Sequence, residues 1–496
     1  MLFVAVLSGC RDGGGQPGAG GRPESRDTAG GKAPGTNKAP EAIVVPRDRG
    51  IDATNSYSDL FLDSADMESF ITRQKLNDTL ARSFRDFYNA RNFQFAWFAS
   101  DGLTEQALAF SSLYQYSKDS STHRKWLDDK MDSLQSEDSL QLTGSEPGLR
   151  HTELLMTWRL INYLGNRYPD EAERMAALLR LLPARKRDPL EMAADILSGK
   201  AGRDNKAGRD NKAGRDKVIN PWYQALVGQL KKYVDLADSN ANDGKKLKPG
   251  PASHTIPPLK RVRQILINLE RMAWMPPDPT GRLILVNIPE FRLHVLEDGK
   301  KVFNMNIVVG KEGHSTVLFS GNLDRIIFNP YWNIPPSIVR KEVIPEMEKD
   351  KQYLEKHEME ITGQEDGLPV IRQKPGPLNE LGKMKFLFPN SFNIYLHDTP
   401  HKELFRKAQR ALSHGCIRLA DARQLAGYLL QEMPEWGAGK IDSVLAAGEE
   451  RVVKLKEPVP VLIYYLTAGS DEDNPVEFRK DIYGHDARVE KKLFIK

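Results

Sequence analysis

An α+β architecture is expected for this chain, a helical N-terminal part followed by a β-rich C-terminal part. Three observations carry that expectation. Apolar residues recur at helical spacing between about Ser56 and Asp238. From Arg282 the period shortens to runs rich in Val, Ile and Leu, bounded by turn residues. Between them, residues 239–258 are rich in Asn, Lys, Pro and Gly and read as a linker. A length of 496 residues leaves room for two or more cores. Hydrophobic residues at 40% and charged residues at 28% are ordinary for a soluble globular chain. The net charge of +4 is too small to argue for nucleic acid as a partner.

The chain opens with an apolar run from Leu2 that ends in Leu7-Ser8-Gly9-Cys10. This resembles a bacterial lipoprotein signal, residues 1–10, in which Cys10 is the lipidated residue. The basic segment that usually precedes the apolar run is missing, and a chance match is the alternative. Residues 11–50 are rich in Gly and Pro, cannot bury a core and read as a flexible tether. Arg11, not Asp, follows the cysteine. That favours the periplasmic face of the outer membrane for a lipid-anchored protein. No run reaches the roughly 18 apolar residues of a membrane-spanning helix.

Residues 51–238 read as a helical domain. Met67 to Phe87, Glu153 to Tyr163, Glu171 to Leu182 and Trp222 to Leu236 carry apolar residues at helical spacing. Their aromatics are read as core rather than as a ligand platform. Residues 200–217 hold a six-residue repeat, Lys-Ala-Gly-Arg-Asp-Asn, with no apolar side chain larger than Ala; it reads as a solvated loop insertion. After the linker, Leu259 to Trp274 forms one more helix. Strands follow at Arg282 to Ile288, Phe291 to Leu296, Val302 to Val309 and Arg325 to Phe328, with Asp298-Gly299 as a hairpin turn. Residues 337–389 read as a mostly polar, helical insertion, long enough to be a lid. Residues 259–470 are taken as one domain, and 471–496 as a C-terminal tail.

Chemistry concentrates in Ser413-His414-Gly415-Cys416-Ile417-Arg418. Cys10 and Cys416 are the two cysteines, so a disulfide framework is excluded. A second histidine, His397, lies upstream in Tyr395-Leu396-His397-Asp398. A thiol with histidines to deprotonate it is the minimal kit for nucleophilic acyl transfer, and an imidazolium beside it lowers the thiol pKa. The plain alternative is a buried structural cysteine. A third reading takes His397, His401, His414 and Cys416 as zinc ligands, although Pro400 argues against one helical face for the first two.

His397, the spacing to Ser413-His414-Gly415-Cys416, and the blocks Asn329-Pro330-Tyr331-Trp332-Asn333-Ile334-Pro335-Pro336 and Gly382-Lys383-Met384-Lys385-Phe386 together resemble L,D-transpeptidases with a YkuD-type catalytic domain. Within that family the segments look like the large, scaffold-bearing YcbB-like branch. The resemblance implies a helical scaffold domain over 51–238, a β-rich catalytic domain over 259–470 and a mobile capping insertion over 337–389. The small wall-binding module usual in that branch is not found. The implied reaction is peptidoglycan cross-linking through a cysteine thioester, with tetrapeptide stems as partners, no cofactor and no metal. Cys416 is then the nucleophile and His397 the general base. His414 assists or lines the oxyanion region, and the Gly415 and Cys416 amides are the oxyanion donors. Arg418 suits a stem carboxylate, with a structural ion pair as its alternative. Ser413, Tyr395, Trp332 and Asn333 complete the expected pocket. An L,D-carboxypeptidase and a non-catalytic wall-binding lipoprotein remain open as alternatives, and oligomeric state is not legible.

Overall fold

The computed structural model describes residues 45–117, 123–137, 140–199, 219–243, 256–276, 280–471 and 474–495. The signal-like segment, the tether as far as residue 44 and the repeat at 200–217 lie outside the described residues. Residues 45–50, expected within the tether, are instead tied to the helices. The Val45 N–H donates to Asp86 at 3.1 Å, and the Arg47 guanidinium donates to Asn92 at 2.6 Å.

Among the described residues, nine helices build the first region: α1 (Ser64–Gln74), α2 (Asp78–Ala90), α3 (Glu105–Ser117), α4 (Lys125–Ser136), α5 (Pro147–Gly165), α6 (Glu171–Leu181), α7 (Pro189–Leu197), α8 (Ile219–Asp243) and α9 (Pro258–Met272). The apolar run from Met67 to Phe87 is two helices, not one. Lys75 turns left-handed with φ of 50°, and the Asn77 side chain accepts the Leu80 N–H to start α2. Phe70, Phe84, Tyr88, Trp97 and Tyr163 fill the core of this region, as their spacing implies. Burying each contributes about 1.5–3 kcal/mol or more relative to exposure. Residues 239–243, expected in the linker, continue α8.

Twelve strands of the second region matter here: β1 (Arg282–Asn287), β2 (Arg292–Glu297), β3 (Lys300–Gly310), β4 (Ser320–Phe328), β5 (Trp332–Asn333), β6 (Met359–Glu365), β7 (Leu368–Gln373), β8 (Met384–Leu387), β9 (Leu396–His397), β10 (Ala411–Ser413), β11 (Ile417–Leu419) and β12 (Arg451–Tyr464). The large sheet has nine strands in the order β10-β3-β11-β9-β8-β4-β12-β1-β2, and a further β2–β3 pairing closes it on itself. Asp298 and Gly299, with φ of 48° and 76°, make the tight turn between β2 and β3. β8 falls inside the expected insertion at 337–389 but is a central strand of this sheet. The insertion is also only half helical. A helical run over Pro336–Lys349 is followed by the β6–β7 hairpin, which adds to β5 as a separate three-stranded sheet. Ile334, Val339, Val343 and Ile371 give this cap a small core of its own.

The C-terminal segment is not a trailing tail. Its helix α12 (His485–Leu493) follows α10 (Ala422–Leu430) and α11 (Ala438–Ala447). It buries Val489 and Leu493 against α8, α9 and the sheet. Arg271 on α9 bonds Glu105 on α3 and Asp486 on α12, each at 2.6 Å, so three separated pieces of sequence meet at one buried guanidinium.

Candidate active site

Three adjacent strands carry the site. β9 runs antiparallel to β8 and parallel to β11. The register sets Lys385 opposite His397 and His397 opposite Arg418, a single row across the sheet. Directly opposed residues share a face. Alternation brings Tyr395 and Cys416, each two residues earlier, to that same face. The intervening Phe386, Leu396, Ile417 and Leu419 turn the other way into the core. The polar face opens on a cavity of about 940 Å³, lined by Lys385, Tyr395, His397, Cys416 and Arg418 from the sheet. Trp332, Asn333, Glu342 and Glu380 line it from the cap side. Its size suits a ligand larger than a single residue.

Cys416 ends a tight loop. Gly415 has φ of 111°, a conformation that disfavours any side chain. The Thr316 hydroxyl donates to the Gly415 carbonyl at 2.8 Å, and the Ser413 hydroxyl donates to the Cys416 carbonyl at 2.6 Å. Ser413, expected beside substrate, is buried and commits its hydroxyl to bracing this loop. The Gly415 N–H, expected as an oxyanion donor, points to Ser413 Oγ at a long 3.3 Å. The Cys416 thiol donates to the Asn393 carbonyl at 3.6 Å. Tyr395 and Trp332 line the cavity beside the sulfur. Burial pushes the thiol pKa up, while polar contact with Tyr395 and the charges of Lys385 and Arg418 pull it down.

His397 is buried, and its Nδ1–H donates to the Asp398 backbone carbonyl at 2.6 Å. The backbone therefore orients the ring. The Asp398 carboxylate is occupied elsewhere, by the Lys383 N–H at 2.9 Å and Lys402 Nζ at 2.6 Å. With Nδ1 protonated, Nε2 carries the free lone pair. Burial, and then the Arg418 charge, push the His397 pKa down to about 3. The imidazole is therefore neutral at physiological pH. An imidazolium beside the resting thiol, as anticipated from the sequence, is disfavoured here, and positive charge comes from Lys385 and Arg418 instead.

His414 faces the cap. Its Nε2 lies 2.9 Å from Glu342 Oε1, and Lys311 Nζ lies 3.5 Å away. Burial lowers its pKa against the pull of Glu342. Arg418 stands 3.5 Å from Glu380, whose other oxygen meets His401 Nε2 at 3.0 Å. The ion pair weighed for Arg418 is thus present, yet its buried Nε has no partner. His397, His401 and His414 turn to three different partners. Among the described residues, no three His, Cys, Asp or Glu side chains are grouped to hold a metal ion.

Four residues of the site escaped the sequence. Glu342 and Glu380 reach it only because the cap folds over the sheet. Asn393 contributes a carbonyl, from a left-handed residue with φ of 55°. Lys385 looks like the solvent-side residue of an alternating strand. Alternation could have placed it opposite the core-facing Met384 and Phe386, but not beside His397.

Residues 281–461 match the family description "L,D-transpeptidase catalytic domain", and residues 82–204 match "Scaffold domain". A Haemophilus influenzae protein named "Putative L,D-transpeptidase" is 31% identical over 244 residues, covering 46% of this chain and 49% of that protein. The match therefore spans about half of that relative's length. Among solved structures, an L,D-transpeptidase from Mycobacterium smegmatis is 14% identical with a TM-score of 0.21, covering 37% of this chain and 58% of the other. L,D-transpeptidase 3 from Mycobacterium tuberculosis is likewise 14% identical, with a TM-score of 0.20 and coverage of 37% and 61%.

Proposed function

We propose, for a chain that carries an L,D-transpeptidase catalytic domain at residues 281–461 behind a scaffold domain at 82–204, that Cys416 acylates itself with one peptidoglycan stem and passes the acyl group to another. The observation that carries this is the shared face: the thiol, the free nitrogen side of a neutral imidazole and an incompletely bonded guanidinium open on one cavity. In the first step the Cys416 proton passes to His397 Nε2 as sulfur attacks the carbonyl of the third stem residue. The tetrahedral oxyanion collapses, the amide C–N bond breaks, and the same proton leaves with the terminal D-Ala. In the second step the side-chain amine of an acceptor stem attacks the thioester. The C–S bond breaks, a 3-3 amide forms, and the amine proton returns to sulfur by way of Nε2.

Arg418 is the proposed anchor for a donor carboxylate, because its planar fork has a donor to spare. Substrate carboxylate would then compete with Glu380 for that guanidinium. Trp332 and Tyr395 shape the pocket beside the sulfur. Incubating the purified protein with disaccharide-tetrapeptide and resolving the products by mass spectrometry tests the reading. Dimers joined 3-3 with release of D-Ala are expected. Tripeptide alone would mean that water takes the acyl group, making the enzyme an L,D-carboxypeptidase. No change in the stem would leave a wall-binding protein.

Anchoring through Cys10 on the periplasmic side of the outer membrane is part of the same proposal. No described helix is long and apolar enough to cross a membrane. Metabolic labelling with a fatty-acid analogue checks the anchor. Label lost in Cys10→Ala is expected, and an unlabelled wild type would remove it.

A further inference from the structure

Among the described residues, Lys385 is a cation with no carboxylate in ion-pair contact. It projects from β8 in the row that includes His397 and Arg418. Its ammonium sits 3.9 Å from the centre of the Tyr395 ring, which lines the same cavity as Cys416. No carboxylate oxygen among the described residues forms an ion pair with it. A cation removed from water needs compensation, and the aromatic face supplies only part of it. The remaining negative charge within the row is the one Cys416 develops on losing its proton.

We infer that Lys385 is a positioning residue whose fixed positive charge holds Cys416 toward the thiolate, the role that an imidazolium fills where histidine is charged. It rests on Cys416 being the nucleophile of the proposed acyl transfer. Lys385 keeps its proton throughout, so no bond to it forms or breaks. Burial lowers the lysine pKa from its usual value, and the Cys416 thiolate acts in the opposite sense. His397 cannot supply the charge while its pKa stays near 3. The other groups that bear on the pair are Arg418 on β11, Tyr395 ahead of β9, Glu450 just before β12, and the cap carboxylates Glu342 and Glu380. Glu450 is partly occupied, since it accepts the Tyr331 N–H at 2.7 Å.

The test reads the thiol itself, without turnover, so its failure is separable from failure of the transfer reaction. The full-length protein is alkylated with iodoacetamide across pH 6–10, and the rate at Cys416 is followed by peptide mass spectrometry. Lys385→Met should move the midpoint of the pH profile upward, slowing alkylation at pH 8 by about tenfold for each pKa unit lost. Lys385→Arg should restore most of the rate. If the methionine variant does not fold, Lys385→Gln gives the same readout with a polar side chain. A midpoint unmoved in Met or Gln variants overturns the inference. So does a shift seen in Arg418→Gln alone, which would make the guanidinium the sole counter-charge.

Discussion

Two buried charges of the helical region are spent on fixed partners, whereas the charged row of the β-rich region faces a cavity. In the helical region Glu153 is fully buried, and its carboxylate accepts from Ala96 N–H at 2.7 Å, Trp97 N–H at 3.0 Å and the Tyr88 hydroxyl at 3.1 Å. Arg91, also fully buried, donates to the carbonyls of Gln94, Phe95 and Leu182. Burial raises the Glu153 pKa to about 7 and lowers that of Arg91 to about 10. In the β-rich region burial shifts His397, Cys416 and Lys385, and these three face a cavity together with Arg418, whose Nε has no partner. A shifted pKa alone therefore does not mark a site. Unspent hydrogen-bonding capacity facing open space does.

The largest way to break this contrast is at the nucleophile. Cys416→Ala should lower turnover by about 10³-fold or more, with the melting temperature unchanged because a small residue replaces a small thiol. A carbapenem should acylate wild type at Cys416 and leave the variant unmodified. Appreciable cross-linking by the alanine variant would place the chemistry elsewhere.

Next comes the structural pair. Glu153→Ala strands two backbone N–H groups, a hydroxyl and a nearby buried arginine, and should cost about 3–5 kcal/mol in urea unfolding. Cys416 alkylation in the folded fraction should stay at the wild-type rate. Because the folded pKa of Glu153 is raised, the folded state holds its proton between the ordinary carboxyl range and about 7. Stability from this group is present at low pH and lost as pH rises through that window. Glu153→Gln should therefore gain on wild type between pH 5 and pH 8. A constant difference would mean that the carboxyl is ionised throughout.

A smaller effect is expected at the guanidinium. Arg418→Lys keeps charge but loses the fork, so kcat/KM for the donor should fall about 10–100-fold. Equal kinetics in both Lys and Ala variants would remove Arg418 from the site. The pH profile sharpens the same point. His397 stays neutral down to about pH 3, so the rate profile should show no break at the ordinary imidazole pKa of 6.5. It should instead rise into the alkaline range with the thiolate. Deleting residues 200–211 should have the least effect, under about 1 kcal/mol, if the repeat is the solvated loop its composition implies, because loop length enters closure entropy logarithmically.

Much of this was legible in the sequence, for local reasons. Helical spacing exposes the faces of α5 and α9, and Asp421 marks the start of α10, where its side chain accepts the Gln424 N–H. Cys416 and His397 stand out because reactive side chains are rare and their spacing is short. What stayed hidden is set by pairing between distant strands. β8 reads as part of a polar insertion, since Lys385 interrupts only four residues, and nothing local says that it sits between β4 and β9. Glu342 and Glu380 are ordinary surface carboxylates until the cap closes on His414 and Arg418. The neutrality of His397 follows from burial beside Arg418, Lys385 and Lys402, which no spacing rule encodes.

Intact-protein mass spectrometry of a rapidly quenched mixture with disaccharide-tetrapeptide tests the central claim most directly. A mass increase equal to the donor less its terminal D-Ala, mapped to Cys416 and lost again on adding an acceptor amine, is the predicted result. Product formation without any such adduct, or an adduct that persists in Cys416→Ala, would contradict it.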